Sequence, residues 1–322
     1  MSTIIDVAKL AGVSIATVSR VVNKSGYVSK VSEEKVNRAI QALGYVPSEL
    51  ARNMLNKKTQ LIAMIVPGLF NTFFADIVHH VEQQLYKHHL RMLITNSLSP
   101  NGLEIEYLEM LKQRKVDGII IISDNEIEDL ITKSSPVVSF DRHFKHTPFV
   151  ASDNEAGGRL AAKTLSQAGA KQLLYLGDDA FVSAGHFATE VSKRKLGFIN
   201  YCEENNISYE ALEFPKNTKI DETIKRIIKD RRVDGIFAIS DFLAAKIIKE
   251  AMKQDVDIPK TLKVIGFDGL DDILNTGLRI SSIIQDRKKI AEKIVETLIR
   301  KMNGEDVKNT IIPISLKRGD TI

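Results

Sequence analysis

The sequence predicts two folded parts: an all-α helix-turn-helix headpiece over residues 1–58, then an α/β domain of two lobes over 59–322, each lobe built on a doubly wound parallel sheet. Three observations carry this. Two short, well-capped helices meet across a three-residue turn near the N-terminus. From residue 61 short apolar runs alternate with amphipathic helical stretches. A thirteen-residue block in the first half of that region recurs in the second.

In the headpiece, Thr3 and Asp6 have the spacing of a capping box that opens a helix running to Ala11. Gly12 supplies a residue that takes positive φ at its end, and Ser14 is a good N-cap for a second helix over 15–23. Ala8, Gly12 and Val18 stand where a helix-turn-helix needs a small residue, a turn and an apolar contact. On the second helix Val18, Val21 and Val22 form one stripe, while Ile15, Ala16, Ser19, Arg20 and Asn23 fall on the other face. That outward face suits DNA, because the first residues of a recognition helix reach base edges and Arg matches the paired acceptors of guanine. Ile15, Ala16 and Arg20 are the base-reading candidates. A third helix is expected from Ser32 as N-cap to a stop at Gly44, with Val36, Ala39, Ile40 and Leu43 inward. A two-turn helix over about 48–56 follows, too short to be stable alone in water.

Beyond the headpiece, strands are expected over 61–66, 92–94, 119–122 and 137–140, with helices over 76–88 and 103–113 between them. The rhythm restarts after residue 158, with strands at 173–176, 211–214, 236–239 and 264–267. Residues 112–124 (KQRKVDGIIIISD) and 229–241 (KDRRVDGIFAISD) agree at nine of thirteen positions. Two such units facing each other make a cleft, and ligands of these sheets bind beyond the carboxyl ends of the strands. Asn71, Ser123, Asp141 with Arg142, Asp178, Asp241 and Asp268 stand there, and Arg194 lies early in a following helix. Carboxylates and a guanidinium suit vicinal hydroxyls, and Phe73, Phe74 and Phe140 offer rings to a sugar's apolar face. An Asp after a strand also commonly caps the next helix, so each carboxylate has a structural alternative.

Charge divides the chain in the same place. The net charge is +4, yet residues 1–60 carry nine Lys and Arg against four acids, and the remainder carries 36 against 37. The positive excess lies where a polyanion would use it. The longest aliphatic run, 119–122, is far below a membrane span, and the first ten residues carry two charges in place of an export signal, so a cytoplasmic protein with no membrane partner is expected. Cys202 is the single cysteine, which excludes an internal disulfide and a cysteine-based zinc site. The seven His show no HExxH arrangement, and no Gly-x-Ser-x-Gly elbow or phosphate loop occurs, so neither an enzyme nor a cofactor or metal is expected.

Residues 6–14 (DVAKLAGVS), 17–23 (TVSRVVN), 45–47 (YVP) and Ala51-Arg52 make the headpiece resemble that of the LacI family of bacterial regulators. Residues 71–74 (NTFF), 138–142 (VSFDR), 152–154 (SDN), 194–197 (RKLG), 240–241 (SD), 266–268 (GFD) and 284–285 (IQ) resemble the same family's periplasmic-binding-protein-like effector domain. The resemblance covers essentially the whole chain. It implies that the helix over about 48–56 is a hinge that folds on the operator and wedges the minor groove, with Met54 in place of the family's leucine and Ser48 where Asn is common. With Thr3, Ser14, Thr17, Ser19, Asn23, Tyr27, Ala51 and Arg52, the three base readers and Met54 make the expected DNA-contacting set. Effector contacts carry over to Asn71, Phe73, Phe74, Asp141, Arg194, Asp241, Asp268 and Gln285.

The resemblance further implies three chain crossings near 158, 287 and 315, giving an N-lobe of about 60–158 and 288–314 and a C-lobe of about 159–287 and 315–322. The chain stops at Ile322, directly after its last expected strand, so a homodimer is expected. The function implied is a sequence-specific repressor of a carbohydrate operon, bound to near-palindromic operator DNA and released by a sugar. A corepressor-dependent regulator with a purine-like ligand, or one controlled by a protein partner, remains as the alternative.

Overall fold

The computed structural model describes residues 2–46, 58–97, 102–123, 127–178, 189–214, 220–270 and 277–322. The expected hinge over 48–56, with Ala51, Arg52 and Met54, lies outside them. Two compact units divide at Thr59 and Gln60.

Three helices make the first unit: α1 (Ile4–Ala11), α2 (Ile15–Asn23) and α3 (Lys30–Leu43). The Thr3 hydroxyl accepts the Asp6 N–H while the Asp6 carboxylate accepts that of Thr3. Gly12 closes α1 at φ +64, a backbone that glycine adopts without steric cost, and Ser14 accepts the Thr17 N–H. Helix α3 begins three residues before the expected start. Ser29 is its cap, accepting the Ser32 N–H, and Ser32 sits within the first turn. Either serine has the required hydroxyl, and burial of Val36 and Ala39 with Val7, Ala8, Ala11 and Val18 leaves the local choice open to the cap.

The second unit contains two six-stranded sheets. The N-lobe sheet holds β1 (Leu61–Val66), β2 (Arg91–Asn96), β3 (Gly118–Ile121), β4 (Val137–Phe140), β5 (Phe149–Ser152) and β11 (Thr310–Ile312), in the order β11-β5-β4-β3-β1-β2, all parallel. The C-lobe sheet holds β6 (Gln172–Asp178), β7 (Ser208–Phe214), β8 (Gly235–Ala238), β9 (Lys263–Asp268), β10 (Ser281–Gln285) and β12 (Ile314–Lys317), in the order β12-β10-β9-β8-β6-β7. Only the β12 to β10 pair is antiparallel in that sheet. The N-lobe carries α4 (Thr72–Lys87), α5 (Leu103–Lys112) and α10 (Arg287–Met302); the C-lobe carries α6 (Asn154–Gln167), α7 (Lys193–Glu204), α8 (Ile220–Asp230) and α9 (Asp241–Lys253). Among the described residues no helix is long and apolar enough to cross a membrane.

The repeated block has a structural cause. It supplies the third strand of each lobe, and its Asp pins the start of the first: Asp117 accepts the Gln60 N–H at 2.7 Å, and Asp234 accepts those of Lys171 and Gln172 at 2.8–3.0 Å. The following Gly118 lies against Leu298, where a Cβ would be crowded, and Gly235 against Leu173 and Ala170, where one would clash.

The chain crosses between lobes at residues 153, 286 and 313. The first crossing lies five residues before the expected position, because α6 belongs wholly to the C-lobe: Ala161, Ala162 and Leu165 pack into its core with Tyr175, Phe198, Phe237 and Phe267. Helix α4 also starts earlier than expected, at Thr72, since Asn71 caps it by accepting the Phe73 N–H. Strands β5 and β10 had no expected counterpart. Each ends at a crossing, and Phe149–Ser152 is only four residues long, too short for period to declare itself.

Candidate functional site

On the headpiece, α2 buries Val18 and turns Ile15, Ala16 and Arg20 to solvent. Ile15 is 48% exposed and Tyr27 90%, apolar surface that the three-helix core leaves uncovered. Ser14 and Thr17 share a hydrogen bond of 2.9 Å, and Asn23 donates to Ser19 across one turn at 3.2 Å. Thr3 is exposed at the start of α1. Nine of the residues expected to contact DNA therefore lie on or beside α2 and at the α1 N-terminus. The face combines the exposed Arg20 guanidinium with exposed aliphatic groups, which fits guanine acceptors and thymine methyls.

In the second unit a cavity of about 260 Å³ opens between the lobes. The N-lobe contributes Pro67, Asn71, Phe73, Phe74, Ile122, Ser123, Phe140, Asp141 and Arg142, and the C-lobe Thr189, Val191, Arg194, Ile239, Ser240 and Asp268. Arg194 organises the polar wall from the first turn of α7. Its Nε donates to Asn154 Oδ1 at 2.7 Å and its Nη1 to the Ile239 carbonyl at 2.8 Å, while the plane lies 3.6 Å over the Phe267 ring. No hydrogen bond reaches its Nη2 among the described residues, which leaves a donor for a ligand. Asp268 Oδ1 lies 3.9 Å from Nη1 and accepts from Gln285 Nε2 at 2.8 Å. Asp141 Oδ1 accepts from Asn154 Nδ2 at 3.4 Å.

The local chain explains this placement. Gly158 of α6 and Gly197 of α7 pack backbone on backbone: a Cβ on Gly158 would fall inside the Arg194 carbonyl oxygen, and one on Gly197 inside that of Glu155. That closeness lets Asn154 and Arg194, one from each helix, meet. Both cavity acids end a strand in left-handed backbone, Asp141 at φ +58 and Asp268 at φ +115. Such backbone costs of order 1–3 kcal/mol in a non-glycine residue and persists where neighbours over-determine it. Asp141 is fixed by its N–H to Val150 and by its carbonyl, which accepts the Glu190 N–H at 2.9 Å.

Burial sets the charge state. It pushes the Asp141 carboxyl up to about 7, opposed chiefly by Arg194, and Asp268 up to about 6, opposed by Arg194 and the Gln285 hydrogen bond. Near neutrality the two acids can thus switch between accepting hydrogen bonds only and donating one as well.

Residues 3–48 match the family described as bacterial regulatory proteins, lacI family, and residues 62–307 a periplasmic binding protein domain. The sucrose operon repressor of Streptococcus mutans serotype c is 37% identical over 321 residues, 98% of each chain. The chain belongs to the lacI family of bacterial regulatory proteins. The ribose operon repressor of Halalkalibacterium halodurans is 35% identical over 84% of this chain and 81% of its own. The Lac repressor dimer bound to operator and the anti-inducer ONPF superimposes with a TM-score of 0.85 over 99% of this chain and 98% of that one, at 23% identity, a likeness of fold. As a lacI-family member the chain is a DNA-binding regulatory protein and not an enzyme.

Six of the eight effector candidates line the cavity: Asn71, Phe73, Phe74, Asp141, Arg194 and Asp268. Phe73 and Phe140 offer little more than an edge, since both are nearly fully buried in the N-lobe core, and Phe74 is the half-exposed ring. Asp241 and Gln285 are not brought to the wall. Asp241 is completely buried behind it, where Oδ2 accepts the Leu270 N–H at 2.7 Å and its carboxyl is pushed well above the usual range by burial and by Asp268. Gln285 stands behind Asp268 and accepts from Ser152 Oγ at 2.7 Å. The sequence expectation omitted Asn154 and Thr189. Asn154 had a legible signal: Asp153 already caps α6, so a second polar residue beside it has no capping task. Thr189, in the loop before α7, had none.

Proposed function

We propose that this lacI-family chain represses a sugar-utilisation operon and releases its operator when a sugar, sucrose first and ribose second, fills the cavity between the lobes. The observation that carries the reading is the polar wall: a guanidinium with one open donor edge lies 3.9 Å from the buried Asp268 carboxylate and shares the cavity with the half-buried Asp141, and Phe74 lies on the lobe opposite Arg194 and Asp268. Vicinal hydroxyls need that combination of acceptors, planar donor and apolar surface. Relatives named sucrose and ribose operon repressors, 31–37% identical, support the same class.

In this reading two chains bind a near-palindromic operator as a homodimer in the cytoplasm. Each sets Ile15, Ala16 and Arg20 in a major groove, with Thr3, Ser14, Thr17, Ser19, Asn23 and Tyr27 toward the backbone. Ala51, Arg52 and Met54 are proposed for the minor groove. Asn71, Phe73, Phe74, Asp141, Arg194 and Asp268 contact the sugar, while Asp241 and Gln285 hold the loop and acid behind it. The effector acts through different affinities for the two lobe arrangements, and an inducer lowers operator affinity.

Arg20→Ala should weaken operator binding by about 1–3 kcal/mol, roughly 5- to 150-fold, and relax the base preference at one position. Competition anisotropy against singly substituted operators measures both; an unchanged preference at every position would remove Arg20 from base reading. For the ligand, a thermal-shift panel of sugars and nucleobases is the direct test, since a ligand that binds only the folded chain raises its melting temperature by mass action. Sucrose or ribose should stabilise the chain. Stabilisation by a nucleobase alone would replace the sugar reading with a corepressor one.

A further inference from the structure

Arg287 is the first residue of α10, directly after the second crossing between the lobes. Its Nε meets Asp76 Oδ2 at 2.5 Å on α4 of the N-lobe, and its Nη1 donates to the backbone carbonyl of Asp268 on the C-lobe at 2.7 Å. One guanidinium therefore joins the lobes from the crossing segment itself. Its partner on the C-lobe is the cavity acid, held in left-handed backbone at φ +115. Two residues of one crossing fix that acid, Gln285 at the carboxylate and Arg287 at the carbonyl. Gln285 is held in turn by Ser152, the residue before the first crossing. On the N-lobe, Asp76 shares a helix with Phe73 and Phe74 of the cavity wall, and α4 packs along α10.

The side-chain type matters here. Arginine presents donors in fixed directions on a planar fork, so it can hold two acceptors on different bodies in one geometry, whereas a lysine ammonium is a mobile point charge. A ligand that grips Asp268 shifts its backbone only as a unit with whatever holds its carbonyl.

We propose that Arg287 is the positioning residue that couples occupancy of the cavity to the N-lobe, by tying the Asp268 carbonyl to Asp76 of α4. The inference rests on the sugar reading above. It assigns coupling, as distinct from affinity, to a pair outside the cavity wall: without the tie, the sugar still binds Asp268 and Arg194, but its binding energy no longer distinguishes two positions of α4.

The test uses the full-length chain, an operator fragment at fixed salt, and sucrose and ribose as probes. Operator affinity with and without sugar gives the coupling ratio, and calorimetry gives sugar affinity. Asp76→Asn and Arg287→Lys are expected to bind the sugar within about threefold of the parent chain while the coupling ratio falls about tenfold. Asp76→Glu should restore most of it. His80, 3.9 Å from Asp76, is the control, and His80→Gln should leave the ratio unchanged. Asp76 is a partly exposed surface position, so Asp76→Asn is read out even where Arg287→Lys fails to fold. An unchanged ratio in Asp76→Asn overturns the proposal, as does a loss of sugar affinity that accounts for the whole fall. A parent chain that binds neither sugar overturns the sugar reading, and this inference with it.

Discussion

Arg194→Gln is expected to reduce sugar affinity at least about 100-fold, because it removes the donor edge facing the ligand together with the cation that keeps Asp141 and Asp268 available as acceptors. Losing one partner of a buried ion pair typically costs about 3–5 kcal/mol of stability. Here the loss depends on pH in a defined direction. Both acids already have folded-state values raised above the ordinary 3.8, to about 7 and about 6, so the folded chain holds more protons than the unfolded chain between those limits. Their contribution to stability is therefore full below pH 4 and declines as pH rises toward 7. Removing Arg194, which lowers both values, extends the decline to higher pH. The melting-temperature deficit of Arg194→Gln should accordingly be larger at pH 8 than at pH 5, while operator affinity without sugar stays close to that of the parent. A deficit that is flat with pH would mean that Arg194 does not govern the two carboxyls.

Gly158→Ala is expected to be among the most destabilising single methyl additions in the C-lobe. The new Cβ would meet the Arg194 carbonyl and the Phe198 amide, backbone atoms that cannot move aside by changing rotamer. Overpacking commonly costs about 1–3 kcal/mol where side chains can shift, and backbone against backbone places this substitution at or above the upper end. A loss of about 3 kcal/mol corresponds to a fall in melting temperature on the order of 10 °C. Separation of α6 from α7 also draws Asn154 away from Arg194, so sugar binding should fall with stability. Gly169→Ala, where nothing lies within 4 Å of the added methyl but φ is +89, isolates the backbone effect from the packing effect. Equal melting temperatures for Gly158→Ala and Gly169→Ala would contradict the packing argument.

The headpiece was legible because its signals are local. Thr3, Gly12 and Ser14 act within four residues of themselves, and the valine stripe of α2 has its own period. Ser29 and Ser32 show the limit of that reasoning: two hydroxyls three residues apart both qualify as caps, and the burial of Val36 and Ala39 does not choose between them. In the second unit β1 to β4 and β6 to β9 had expected counterparts, and the six of them that lie inside the sheets read as apolar runs, since buried parallel strands need no alternation. Strands β5 and β10 were not. Phe149–Ser152 is only four residues long and Ser281–Gln285 is polar at three of its five positions, and each is paired with a strand from the last part of the chain.

The site divides in the same way. Asp141 and Asp268 stand out as acids at strand ends, yet nothing in their spacing separates them from Asp241, which occupies the same kind of position and is buried against Gly266 and Leu270 instead. Facing toward or away from a cavity depends on backbone twist, and φ +115 at Asp268 is invisible in the residue name. The roles of Asn154 and Arg287 arise from contacts across 40 and 211 residues of sequence, with Arg194 and Asp76 respectively. Such contacts exist only once the lobes are folded.

One titration bears most directly on the regulator as a whole. The affinity of the full-length chain for its operator is measured at fixed salt as sucrose, then ribose, is added. At least one of them should weaken binding by about tenfold or more, within the range of ordinary allosteric coupling, and Arg194→Gln should abolish that response without changing binding in the absence of sugar. Operator affinity that is indifferent to both sugars, in a chain that binds the operator specifically, would contradict the account.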